Sequence, residues 1–208
     1  MDFSSIWNTG TIVVSAVSAL LGGAIGMFIR GIDARQKFEQ LRRELRKAQD
    51  EQQAREAATL RAARDAAAGL EAFAHDCIAL LTENARAARD IDTIQFELPH
   101  LIHAAGAGNR PEALMLESAY RDLQRQIASA NQHIDETFRD GHDTGWREAL
   151  RVLEARAYET AAAALALAGR YRKHFKVPRT PLGRREQQIE DEILARAAEQ
   201  DAASTTCH

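Results

Sequence analysis

From Thr11 to Ile29 the chain runs 19 residues without a charge, and beyond Arg30 apolar positions recur at three- and four-residue intervals. The uncharged run predicts a transmembrane helix over 11–29. At 1.5 Å per residue it spans about 28 Å, close to the ~30 Å hydrocarbon core of a bilayer. Residues 33–68 hold neither Pro nor Gly and are rich in Arg, Glu, Gln and Ala, all good helix formers. Asp33–Lys37, Glu39–Arg43 and Glu51–Arg55 each place an acid four residues before a base, the favourable order on a helix. A polar helical stalk over 30–68 is the expectation. Phe38, Leu41, Leu45 and Ala48 begin a heptad pattern that Gln52 and Arg55 break, too short a run to define a coiled coil.

Beyond the stalk the stripes are clearer. Leu70, Phe73, Ala74, Cys77, Ile78 and Leu81 fall on one helical face, predicting an amphipathic helix to about Arg89. Residues 90–110 read as a connector with a short helix near Thr93–His103. Pro111 suits the first position of the next helix, whose stripe is Leu116, Tyr120, Leu123, Ile127, Ala130, Ile134 and Phe138, with Gly141 closing it. Asp143 or Thr144 can cap a third helix with the stripe Trp146, Leu150, Leu153, Ala157, Ala164, Ala168, Tyr171 and Phe175. Thr180-Pro181 offers a cap and a first-turn proline for a last, acidic helix to about Ala202. Short connections favour antiparallel neighbours. The fold class is therefore all-α: a short external tail over 1–10, the membrane helix over 11–29, the stalk over 30–68, a small antiparallel bundle over 69–202 and a disordered tail over 203–208.

Composition narrows the alternatives. Alanine supplies 40 of 208 residues, against 12 Gly and 4 Pro. So few breakers and so many helix formers exclude a collagen and argue against a β-sandwich or barrel. Cys77 and Cys207 lie far apart without CxxC spacing, which suits a reducing compartment.

The net charge of −3 conceals local extremes. Seven cations lie between Arg30 and Lys47 and none in the first ten residues, so the positive-inside rule places the N-terminus outside and the C-terminal region in the cytoplasm. Asp2 is the single charged side chain in that tail, which lacks the basic start of a secretory signal. This topology is most at home in a bacterial inner membrane. The second extreme is 170–185, where Arg170, Arg172, Lys173, Lys176, Arg179, Arg184 and Arg185 meet no acid. Cations belong in the last turn of a helix, and the acids of the next helix can pair with them. The alternative is contact with an anionic surface, more readily lipid than nucleic acid, with Tyr171 and Phe175 as wedges or stacking faces.

Candidate chemistry is sparse. Glu97-Leu-Pro-His100 has Glu-x-x-His spacing, but a carboxylate-bridged di-metal bundle needs two such motifs, and Pro99 interrupts this one. His100 and His103 share a helical face without a third ligand. In His75-Asp76-Cys77, neighbouring side chains on a helix diverge by about 100°, and Cys77 falls on the apolar stripe, where it acts as a small hydrophobe. Nucleophile-elbow, phosphate-loop, zinc-protease and dinucleotide fingerprints do not occur. Within the span, Ser15, Ala19, Gly22 and Gly26 line one side, with Gly22 and Gly26 forming a Gly-x-x-x-Gly pair. Phe38, Leu41 and Leu45 could extend the same self-association face.

The preferred reading is a membrane-anchored cytoplasmic helical interaction or scaffold module, not an enzyme, with no cofactor and with another protein or itself as partner. One alternative is an envelope-spanning or phage-type membrane protein with periplasmic helices. The other is a bundle enzyme or metal protein using His75, His100, His103 or His133.

Overall fold

The computed structural model describes residues 33–87, 93–102, 111–140 and 145–205, with side chains from 39 to 199. All regular secondary structure among them is helical: α1 (Asp33–Ala87), α2 (Pro111–Asp140), α3 (Gly145–Phe175) and α4 (Arg184–Thr205). No helix among the described residues is long and apolar enough to cross a membrane. The expected span 11–29, with Ser15, Ala19, Gly22 and Gly26, lies outside the described residues, as does the side chain of Phe38.

The chain divides into two compact units, Met1–Ala54 and Arg55–His208, with the boundary inside α1. In the first unit, residues 39–54 are helical and exposed, Leu41 at 46% and Leu45 at 40% included.

The second unit is a helical bundle around one core. Burial on α1 begins at Ala63, earlier than the expected 69, and continues through Ala66, Ala67, Leu70, Phe73, Ala74, Cys77 and Ile78. The helix crosses residues 68 and 69 unbroken because Gly69 is tolerated there at a cost of about 1 kcal/mol relative to alanine. On α2, Leu116, Tyr120, Leu123, Ile127, Ala130 and Ile134 are buried as expected. Phe138 is not: it is 42% exposed and its ring lies 4.8 Å from that of Phe96 in the connector.

Helices α2 and α3 run antiparallel, as Tyr120 meets Tyr171 and Gln126 donates a hydrogen bond to Glu159. At their junction a Cβ on Gly145 would sit 2.8 Å from the carbonyl oxygen of Phe138, so a side chain there collides with backbone. The buried face of α3 includes Leu153, Ala157, Ala164, Ala168 and Tyr171 of the expected stripe and is broader than it. Trp146, Leu150 and Phe175 are half-buried, while Ala149, Leu153, Ala157, Thr160, Ala161, Ala164, Leu167, Ala168 and Tyr171 face inward. Between Thr160 and Ala168 small residues crowd the helix, so packing adds neighbours to the stripe that spacing leaves out.

Helix α3 stops at Phe175 in a left-handed cap. Lys176 has φ of 53°, and the N–H of Val177 donates to the carbonyl of Arg172 at 3.1 Å. This is the Schellman arrangement, with buried Val177 supplying its hydrophobic contact. Helix α4 begins later than Thr180-Pro181 suggested. Gly183 is its cap: its carbonyl accepts from the Gln187 N–H at 3.0 Å, and its own N–H donates to Glu186 Oε2 at 2.7 Å. The acid three residues on satisfies an orphan donor, as in a capping box. Ile193 anchors α4 in the core, and the Tyr158 hydroxyl donates to Glu192 at 2.7 Å.

Candidate interaction surfaces

The connector between α1 and α2 is a strap rather than the expected short helix. Beyond Thr93 its described residues, 94–102, are irregular. Pro99 has no N–H to donate and disfavours helix in the residue before it. Backbone groups of the strap pair instead with side chains of the neighbouring helices. Asn84 donates Nδ2–H to the Gln95 carbonyl at 2.7 Å and accepts the Gln95 N–H at 3.0 Å. Asn131 accepts the Leu98 N–H at 2.8 Å and donates to the Leu98 carbonyl at 3.4 Å. Farther on, Gln124 donates to the Leu101 carbonyl at 3.1 Å, and the Tyr120 hydroxyl to that of Ile102 at 2.5 Å. Ile94, Leu98 and Leu101 turn inward. Two asparagines thus supply the donor–acceptor pair that a neighbouring strand would give.

A chain of ion pairs ties α1 to the end of α3 and to α4. Arg172 donates Nε–H and Nη2–H to the two oxygens of Glu71 at 2.8 and 2.7 Å. Its Nη1–H reaches the Pro178 carbonyl at 2.6 Å. Arg179 pairs with Glu71 at 3.0 Å and binds both oxygens of Glu190. The hydrogen bond to Glu190 raises the Arg179 pKa. His75 Nε2 lies 3.4 Å from Glu190 and, among the described residues, has no hydrogen-bond partner. Bidentate arginine–carboxylate geometry fixes register, and side chains this enclosed are shielded little by salt.

This network separates the seven cations of 170–185 into two sets. Arg172 and Arg179 lock the fold together. Arg170, Lys173, Lys176, Arg184 and Arg185 are exposed, and none makes an ion pair with a described residue. The aromatic residues beside them are committed elsewhere. Tyr171 is buried against Tyr120, and Phe175 stacks on Tyr171 with centroids 6.1 Å apart.

The histidines weighed as ligands lie apart. His75 belongs to the ion-pair chain, His100 sits exposed on the strap 3.4 Å from Glu97, and His133 is exposed on α2. His103 lies outside the described residues. Among the described residues, no three His, Cys, Asp or Glu side chains are placed to share a metal ion. Cys77 is fully buried, its side chain within hydrogen-bonding reach of Thr160. Burial pushes its thiol from the ordinary 9.0 up to about 12, with Asp76 adding in the same direction and Thr160 opposing. A thiol held neutral in this way is a poor nucleophile. Surface depressions of about 310 to 440 Å³ lie over the helices and strap, one lined by Gln126, His133, Glu136 and Arg156 and another by Met115, Arg170, Lys173 and His174.

Comparison with protein-family models, curated proteins and solved structures finds no match to this chain.

Proposed function

We propose that the chain is a membrane-tethered helical module whose bundle lies in the cytoplasm and acts by binding another protein or a second copy of itself. The observation that carries this reading is the charge asymmetry around 11–29: seven cations between Arg30 and Lys47, none before Thr11. A 19-residue uncharged helix would hold the chain in the bilayer, and the cations would keep the following residues inside. The polar helix of 33–54 would act as a stalk. Self-association would use the small residues Ser15, Ala19, Gly22 and Gly26, continued by Phe38, Leu41 and Leu45.

The polar networks among the described residues join helix to helix and strap to helix, leaving the bundle a fixed framework on which contact positions can be held. Leu60, Leu114 and Leu194 are large apolar side chains left about half exposed, which makes them accessible positions for a crosslinker. The test is residue-specific photocrosslinking in growing cells from positions 60, 114 and 194 of the full chain. Discrete adducts, with a second copy or with one other protein, are expected from a subset of positions. A complete absence of adducts at all three would refute the binding role.

A further inference from the structure

We infer that the exposed cations at the end of α3, Arg170, Lys173 and Lys176, together with Met115, form a docking surface for an anionic lipid bilayer. Seven cations without an acid are ambiguous until their partners are known, and the fold supplies the partners of Arg172 and Arg179. What remains is selective. Lys173 and Lys176 lie in the last turn and cap of α3, where the helix dipole welcomes positive charge, whereas Arg170 lies a turn earlier and has no such explanation. That explanation fails for Arg184 and Arg185. They occupy the first turn of α4, where the dipole favours acids, and neither is paired with a described acid.

The neighbouring surface indicates which anion. Arg170, Lys173 and His174 share one depression of about 430 Å³ with Met115, which is 59% exposed, and with a single acid, Glu112. Cations around a protruding apolar side chain match a bilayer interface, where headgroup charge lies just above hydrocarbon. A single-stranded nucleic acid would instead use aromatic faces for stacking. Tyr171 and Phe175, the aromatics of this segment, are spent on the core and on each other. The inference goes beyond the tethered-module reading, and draws on it only for the nearness of a bilayer.

The test holds the full chain in an uncharged amphipol and measures its capture by sedimenting vesicles. Phosphatidylglycerol vesicles should bind it and phosphatidylcholine vesicles should not, with capture falling as salt rises to 0.5 M. Each cation near an anionic surface changes partitioning by about fivefold, so Arg170→Glu with Lys173→Glu should weaken capture by at least about 25-fold while helicity is unchanged. Met115→Ser should weaken it further. Equal capture by both vesicle types, or capture by phosphatidylglycerol that the double variant leaves intact, would overturn the proposal. So would tighter binding of a single-stranded DNA oligomer or a polyglutamate peptide than of the anionic vesicles. Retention of the chain in alkali-washed cell membranes reports the anchor separately, so failure of vesicle capture with retention intact counts against this surface alone.

Discussion

Replacing Asn131 with alanine tests the strap most sharply. The substitution removes the acceptor that holds the Leu98 N–H at 2.8 Å and the weaker donor 3.4 Å from its carbonyl. Leu98 is 1% exposed, so water cannot readily replace either partner. Stranding a buried backbone donor costs about 1–3 kcal/mol, and the longer second bond adds a fraction of that. The sum is about 2–3 kcal/mol, which for a chain of this size lowers Tm by about 4–12 °C. Ellipticity at 222 nm follows the melt, and hydrogen exchange locates the damage. Exchange at the Leu98 N–H should accelerate more than exchange in the α2–α3 pair, because the strap can detach without global unfolding. Ser129→Ala, on the exposed side of the same helix, should stay within about 0.5 kcal/mol of the native chain. If Asn131→Ala also falls within that range and leaves Leu98 exchange unchanged, the asparagine does not hold the strap.

Leu123→Ala, at the centre of the α2 core stripe and 4% exposed, should cost about 2–5 kcal/mol in chemical denaturation; a cost below about 0.5 kcal/mol would place the core elsewhere. Lys176→Gly should instead stabilise the chain by about 1 kcal/mol, since glycine adopts the left-handed cap at φ of 53° without Cβ strain; a destabilised variant would mean that the α3 cap is formed differently. Cys77 should resist maleimide in the native chain and react once urea unfolds it. Its raised pKa implies that its contribution to stability is complete below its ordinary 9.0 and is lost as pH climbs toward about 12. The urea midpoint should therefore drop in alkaline solution, and less so in Cys77→Ala.

The elements that could be read from residues alone are those where one face is chemically distinct. Leu70, Phe73, Ala74, Cys77 and Ile78 stand against charged neighbours on α1, and Leu116 to Ile134 do so on α2, so periodicity points each helix inward. On α3 spacing finds Leu153, Ala157, Ala164, Ala168 and Tyr171, but the run Ala161–Ala164 blurs the edges of the stripe, and packing adds Ala149, Thr160, Ala161 and Leu167. The strap was hidden for another reason. Its hydrogen bonds join Asn84 to Gln95 and Asn131 to Leu98, 11 and 33 residues apart, and no local pattern encodes such pairings. The available signal was Asn131, a poor helix former placed well inside α2 with no turn nearby. Likewise the density of cations in 170–185 is plain in the sequence. Their division is not, because Glu71, the partner of Arg172, lies 101 residues away.

The tether and its orientation carry the proposed function, and paired reporters fused after Ala202 of the full chain test both at once. A fluorescent protein that matures only in the cytoplasm should be bright and remain with the membrane after an alkaline wash. Alkaline phosphatase, active only outside the inner membrane, should be silent at the same position. An active phosphatase with a dark fluorescent fusion would place the bundle on the other side of the membrane and contradict the account.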